Sequence, residues 1–267
     1  MSTAPTRPTR GIDHLVIAVR DLDRAEAQYR RLGFALTPRG HHIKLGSYNH
    51  CAMFGADYLE LLAQGTQTRP ALERFLRVRE GIAGIALRTA DARQTFAELR
   101  RQGIAIADPV DFGRPVDTPE GKREARFTTT EIDNDITAGH RVFFCEHKTP
   151  ELVWLPQYQA QPNGVTALAG LVVVDGDGGL EGALERALGD VSGAVEYLSP
   201  AAAARRFVGD PILAVAPPYV AAIRLGVKDR AATARFLETA GVPRRSIAGD
   251  ALQVSSRDAM GAILEFV

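Results

Sequence analysis

No run of apolar residues in this 267-residue chain is long enough to cross a bilayer. The first ten residues, MSTAPTRPTR, also lack the apolar stretch of a secretory signal, so a cytoplasmic location without a membrane partner is expected. Net charge is missing too. Lysine plus arginine equals aspartate plus glutamate at 32 each, so no overall field draws the chain to nucleic acid or an anionic surface. Any partner is therefore recognised locally. Cysteine is scarce: Cys51 and Cys145 are the only two, and in an intracellular chain they are expected reduced and buried. Histidine is absent from the last part of the chain, since His14, His41, His42, His50, His140 and His147 all precede residue 148, as do both cysteines. A transition-metal site rich in nitrogen or sulfur can be built only in the first half. Low-complexity sequence is lacking as well, and a hydrophobic fraction of 45% can fill the core of one large or two ordinary domains.

What is present is a repeat. An apolar strand, an Asp, an amphipathic helix and a Gly recur four times, beginning at HLVIAV (His14), GIALRT (Gly84), LAGLVVV (Leu168) and VAAIRLGV (Val220). Asp21, Asp91, Asp177 and Asp229 each precede Gly33, Gly103, Gly189 and Gly241 by twelve positions. Asp accepts hydrogen bonds from the free amides that open a helix, and Gly adopts the left-handed conformation that ends one about three turns later. Short strands follow each helix. In the first copy these are FALTPRG, HIKLGSYNHCAMF and YLELLA, giving the order β-α-β-β-β. The second copy runs through GIAIADPV, a long loop around FGRPVDTPEGKRE that is expected to cover a site, ARFTTTEI and RVFFCEH. The third is degraded after its helix, and its GDGG at Gly176–Gly179 reads as a glycine-rich helix entry. The fourth closes with SIAGDALQVSS and AILEFV. Linkers are expected at residues 66–80 and 157–166, which separate paired modules over 11–156 from partly degraded ones over 166–267.

Repeated βαβββ modules with a GIDHLVIAV first strand and a YLELLA fourth strand resemble the vicinal oxygen chelate superfamily, and within it the glyoxalase-like domain group. The resemblance is strong over residues 11–156 and weaker over 166–267. It implies an α+β fold of curved mixed sheets forming a cup with helices outside, as in glyoxalase, bleomycin-resistance and dioxygenase proteins. It also implies a divalent metal, Zn, Fe, Mn or Ni, held by side chains of first and fourth strands.

Strand parity places the candidates. Side chains alternate faces along a strand, so His14 in the first strand and Glu60 in the fourth can converge on the concave side, where an ionisable group needs a partner. The second module departs from the family pattern, because Gly84 aligns with His14 and removes the second first-strand ligand. In RVFFCEH one face carries Arg141, Phe143, Cys145 and His147 and the other Val142, Phe144 and Glu146. His147 or Cys145 is the expected third donor, completing a metal set of His14, Glu60 and His147; Glu146 serves only if the register shifts by one. Asn49, His50, Tyr58, Phe143 and Arg141 are the expected substrate contacts, with His50 either a wall group or packed against the helix, and Arg126 and Arg141 either a pair for a substrate carboxylate or solvated strand-face residues. His41 and His42, in the turn RGHHIK, are expected to be exposed. Two functional readings stand. One is a metal-dependent enzyme of the lyase, isomerase or dioxygenase type acting on a small oxygenated molecule, with Glu60 as ligand or base. The other is a metal-free protein that binds or sequesters a small molecule, as resistance proteins do. Either can be a monomer or a homodimer.

Overall fold

The computed structural model describes residues 11–65, 69–118, 121–135, 137, 140–176, 178–188 and 194–267. The first module consists of β1 (Ile12–Val19), α1 (Leu22–Arg31), β2 (Gly40–His42), β3 (Ser47–Phe54) and β4 (Asp57–Gln64). After α2 (Pro70–Val78), the second comprises β5 (Gly81–Arg88), α3 (Ala92–Arg101), β6 (Val110–Thr118), β7 (Gly121–Glu131) and β8 (Arg141–His147). The third is reduced to β9 (Val165–Val174), α4 (Gly179–Leu188), β10 (Val195–Leu198) and α5 (Pro200–Arg206). The fourth has β11 (Tyr219–Val227), α6 (Arg230–Thr239), β12 (Arg245–Ser246), β13 (Leu252–Val254) and β14 (Ile263–Phe266). No helix among the described residues is long and apolar enough to cross a membrane.

The repeat spacing is realised as helix caps. Asp21 accepts from Arg24 N, Asp91 from Arg93 and Gln94 N, and Asp229 from Ala231 and Ala232 N. Gly33, Gly103 and Gly241 follow with φ of 85°, 79° and 63°, the left-handed region that stops a helix. Asp177 and Gly189 lie outside the described residues. In that copy the amides of Leu180 and Glu181 are taken by Asp175 Oδ2, at 2.9 and 3.0 Å.

Two curved mixed sheets result, ordered β2-β3-β4-β1-β5-β8-β7-β6 and β10-β9-β11-β14-β13-β12, with α1, α3, α4 and α6 packed on their outer faces and α2 and α5 on the concave side. First and fourth strands of a module pair parallel (β1 with β4, β5 with β8, β11 with β14), while β1 with β5 and β9 with β11 pair antiparallel at each centre. Two expectations change. The segment around 66–80 holds α2, whose Leu72 and Leu76 are buried, so beyond the undescribed 66–68 it is a packed helix instead of a linker. The supposed long loop over 112–126 is a hairpin: β6 pairs with β7 from Val110↔Thr129 to Thr118↔Gly121, leaving 119 and 120 undescribed. That hairpin brings the edge strand β6 against the opposite edge, β2, where Lys44 Nζ donates to Asp111 O at 2.8 Å and the His42 and Phe112 rings meet at 5.8 Å. The first sheet thereby curls almost shut around a cup.

A continuous apolar core lies on the helix side. It joins Leu15, Ile17, Leu59 and Phe144 of the first sheet to Leu171, Ile223, Leu264 and Phe266 of the second. The segment 157–166 is pinned to it, since Gln161 Nε2 donates to Met53 O at 2.8 Å and Asn163 Nδ2 to Leu32 O at 3.0 Å.

Asp57, in the β3–β4 turn, accepts from Leu168 N at 2.9 Å and ties the two sheets together. Burial pushes its pKa up to about 6, against the pull of Leu168 N–H and Arg88. The folded chain thus holds a proton there that the unfolded chain releases, and stability falls as pH rises from about 4 to 6. Asp57→Asn keeps an acceptor oxygen without the buried charge. Allowing for solvent screening, it should gain about 1 kcal/mol at pH 7 and nothing near pH 4, measured by urea unfolding at both pH values.

Candidate functional site

The concave face of the first sheet encloses a cavity of about 610 Å³ lined by His14, His42, Asn49, Tyr58, Glu60, Arg114, Arg141 and Phe143, among others. Parity carries most of them. Tyr58, Glu60 and Leu62 face inward from β4, Asn49 and Cys51 from β3, and Arg141, Phe143 and Cys145 from β8. His50 faces the other way: Nδ1 lies 2.8 Å from Thr37 O and Nε2 lies 3.3 Å from Glu26 Oε2 of α1. It belongs to the helix side, which removes it from the expected substrate contacts. Arg126 is likewise on the outer face of β7 and exposed. Glu146, also facing outward, caps α3 by accepting from Ala92 N at 3.0 Å.

Parity fails at one residue. Between Ile12 and His14 the β1–β5 register slips, so that Ile12 faces Leu87 and His14 faces Ala86, leaving Asp13 as the extra residue of a bulge. A bulge turns consecutive side chains toward the same side. Asp13, fully buried, accepts at Oδ1 from His14 Nδ1 (2.7 Å) and His147 Nε2 (2.8 Å), and at Oδ2 from Arg88 Nε (3.1 Å). Burial alone would raise its pKa, but the hydrogen bonds from His14 and His147 outweigh it and hold the carboxyl well below the usual range. An ionised carboxylate only accepts, so His14 carries its proton on Nδ1 and presents Nε2 to the cup. The imidazole is stacked on Tyr58 (4.2 Å between centroids, 13° between planes) and edged by Phe143 at 5.5 Å.

His14 Nε2 lies 3.9 Å from Glu60 Oε2, and His42 Nε2 lies 3.9 Å from Glu60 Oε1. Asn49 Nδ2 donates to Oε1 at 2.7 Å. Burial opposes the charge on Glu60, yet His42, His14 and Asn49 hold its carboxyl below the ordinary range, so it is ionised. His42 is buried, contrary to the exposure expected of RGHHIK, because β2 pairs with β3 beneath the β6 hairpin. Its Nδ1 lies 3.2 Å from Ser47 Oγ. Burial, aided by Arg114 and Arg69 and opposed by Glu60, pushes its pKa down to about 4.

Two donor groups therefore meet at His14. On its Nδ1 side Asp13, His14, Cys145 and His147 offer ligand atoms within 4.8 Å of one another. The nitrogen–oxygen distances there, 2.7 and 2.8 Å, are hydrogen-bond lengths, and burial drives the Cys145 thiol well above its normal pKa, so that group is satisfied by protons. On its Nε2 side the 3.9 Å gaps run to the two different oxygens of Glu60 and are too long for hydrogen bonds, each wide enough for an ion between a nitrogen and an oxygen. Opposite edges of one imidazole point apart, so His147 and Glu60, grouped in the expected metal set, are not brought to a common point. The second module offers nothing to this side. His14 pairs with Tyr58 and Gly84 with Arg141, so Phe143 occupies the place equivalent to Glu60.

The second sheet provides a contrast. Glu265 has the register of Glu60, pairing with Arg224 as Glu60 pairs with Val16, and Ala222 stands where His14 would be. Its cup is filled by α5 and the chain after it, through Ala203, Phe207 and Ile212. Arg206 grips both oxygens of Glu265 at 3.0 and 2.5 Å, and Gln253 Nε2 adds a bond at 2.9 Å.

Among solved structures, a hypothetical protein from Staphylococcus aureus shares the fold, with a TM-score of 0.65 at 13% identity, covering 96% of this chain and 98% of its own. A methylmalonyl-CoA epimerase from Mycobacterium tuberculosis is 25% identical over 54% of this chain and 92% of its own, with a TM-score of 0.42. One from Streptomyces coelicolor, in complex with 2-nitronate-propionyl-CoA, is 24% identical over 52% and 99%, also with a TM-score of 0.42. No curated protein matches the chain in sequence. A family model described as a glyoxalase-like domain matches residues 12–186.

Proposed function

Since this chain belongs to the glyoxalase-like domain family of the vicinal oxygen chelate superfamily, we propose that it is an enzyme acting on a small oxygenated organic molecule in the first-sheet cup, by proton transfer of the lyase or isomerase type. The observation that carries the reading is the pair of 3.9 Å gaps around Glu60. Glu60 is an ionised carboxylate in a buried site with an imidazole nitrogen 3.9 Å from each oxygen, and a buried anion so placed calls for a cation.

A divalent ion fits that donor set. It would sit between His14 Nε2 and Glu60, and the chemistry it would supply is polarisation of two neighbouring substrate oxygens. Asp13 on His14 Nδ1 provides the partner that orients a ligating imidazole. Asn49 restrains Glu60 Oε1, leaving Oε2 to serve either as ligand to the ion or as the base that takes a proton from the carbon beside the substrate's oxygens. Tyr58 and Phe143 exclude water from that atom. Both modules of the cup come from one chain, so a monomer suffices. A metal-free sequestering protein is the second reading, favoured by the donorless Gly84 and Phe143.

Elemental analysis after exposure to Zn, Mn, Fe and Ni separates them. The parent should retain an ion, His14→Ala and Glu60→Gln should lose it, and His147→Ala should retain it with affinity lowered by no more than about 10–100-fold, as for a residue one step removed from the ion. An empty parent would leave the sequestering reading. Equal loss in His147→Ala and His14→Ala would move the ion to the Asp13 and Cys145 side.

A further inference from the structure

Resting on the reading that the cup is the reaction site, we propose that its substrate is an organic carboxylate, whose carboxylate is gripped by Arg114 while its other oxygens face His14 and Glu60. Arg114 enters from β6, lines the cavity and is only 9% exposed, yet among the described residues it has no ion pair, no hydrogen bond and no aromatic face to stack on. A largely buried guanidinium that opens only onto the cavity is matched by an anion entering there, and its planar fork suits a carboxylate with two parallel bonds. Two other inward-facing arginines are satisfied from within the chain. Arg141 Nε donates to Glu131 at 2.8 Å and lies over the Phe143 ring, and Arg206 in the filled second cup is matched by Glu265 and Glu196. Arg114, in the open cup, has no such partner among the described residues.

A second guanidinium adds to the demand. Arg69, just before α2, also lines the cavity, and its one hydrogen bond is a long contact of 3.4 Å to Ser47 Oγ. Of the carboxylates lining the cavity, Glu131 is committed to Arg141, while Glu60, Asp108 and Asp133 have no arginine ion pair among the described residues, and a cation beside Glu60 would offset its charge. Space is reserved for this arrangement on β2. At Gly40 a Cβ would stand 2.2 Å from Asn49 Oδ1 and 3.7 Å from Arg114 Cδ, so glycine lets β2 pass between the amide that holds Glu60 and the arginine stem. The ligand so described is anionic at one end and oxygenated at the other, with an apolar middle against Phe112, Phe127 and Phe143.

The test titrates benzoate, its neutral isostere benzamide and inorganic phosphate into the full chain by calorimetry, with and without added zinc. Benzoate should bind at least about tenfold more tightly than benzamide and more tightly than phosphate. Arg114→Gln should weaken benzoate by about 10- to 100-fold while leaving zinc uptake intact. Arg114→Lys, which keeps the charge without the fork, guards against misfolding of the glutamine variant and should also bind benzoate more weakly than the parent. Equal affinity for benzoate and benzamide, no saturable benzoate binding, or parental affinity in a folded Arg114 variant overturns the proposal. Phosphate binding as tightly as benzoate overturns the assignment to carboxylates. Zinc uptake reports separately on the metal reading, so either can fail alone.

Discussion

Asp13→Ala should cost about 3–5 kcal/mol of folding free energy and lower metal affinity by about 10–100-fold, the largest single effect expected in the first half. Three donors, on His14, His147 and Arg88, converge on this one buried carboxylate, so its removal strands them together. The stability loss has a pH signature. The carboxyl of Asp13 is held below its ordinary value of 3.8 in the folded chain, so its contribution is complete above that value and fades as pH falls. Urea unfolding at pH 7, 5 and 3 should therefore give a gap between parent and variant that is constant from 7 to 5 and narrower at 3. A gap unchanged at pH 3 would show that Asp13 acts by shape alone.

Arg206→Ala should be equally costly, about 3–5 kcal/mol, because it leaves Glu265 buried with no positive partner. Its effect on the first cup should be small. Chemical unfolding gives the first number, and metal uptake by the folded variant checks the second. Arg206→Met with Glu265→Leu, which removes both charges and keeps volume, should recover most of the loss. If the double variant is as unstable as Arg206→Ala, packing by the arginine stem, and not the charge, is what α5 contributes.

Periodicity made the repeat legible because caps and strand alternation are local. Asp21, Asp91 and Asp229 needed only the helix that follows them, and His14, Glu60, Asn49, Tyr58 and Phe143 needed only strand parity. His50 was ambiguous because both faces of β3 are buried, one by the cup and the other by α1. Asp13 was hidden by the bulge, which breaks the alternation that parity relies on. An acidic residue beside His14 in an otherwise apolar strand was the available signal. His42 and Arg114 were hidden for a different reason. They are 72 residues apart and meet across two sheet edges that close on each other, a contact that depends on the curvature of the whole sheet.

The core shared by the two sheets also governs how the molecule comes apart. Leu15 and Phe144 lie in the same apolar mass as Leu171 and Phe266, so separating the halves would strip one face of each at once. A chain that reads as two module pairs should melt as one, with a single calorimetric peak whose van't Hoff and calorimetric enthalpies agree. The filled cup then supports the open one at a distance: loosening α5 lowers the melting temperature of the whole chain, the cavity included.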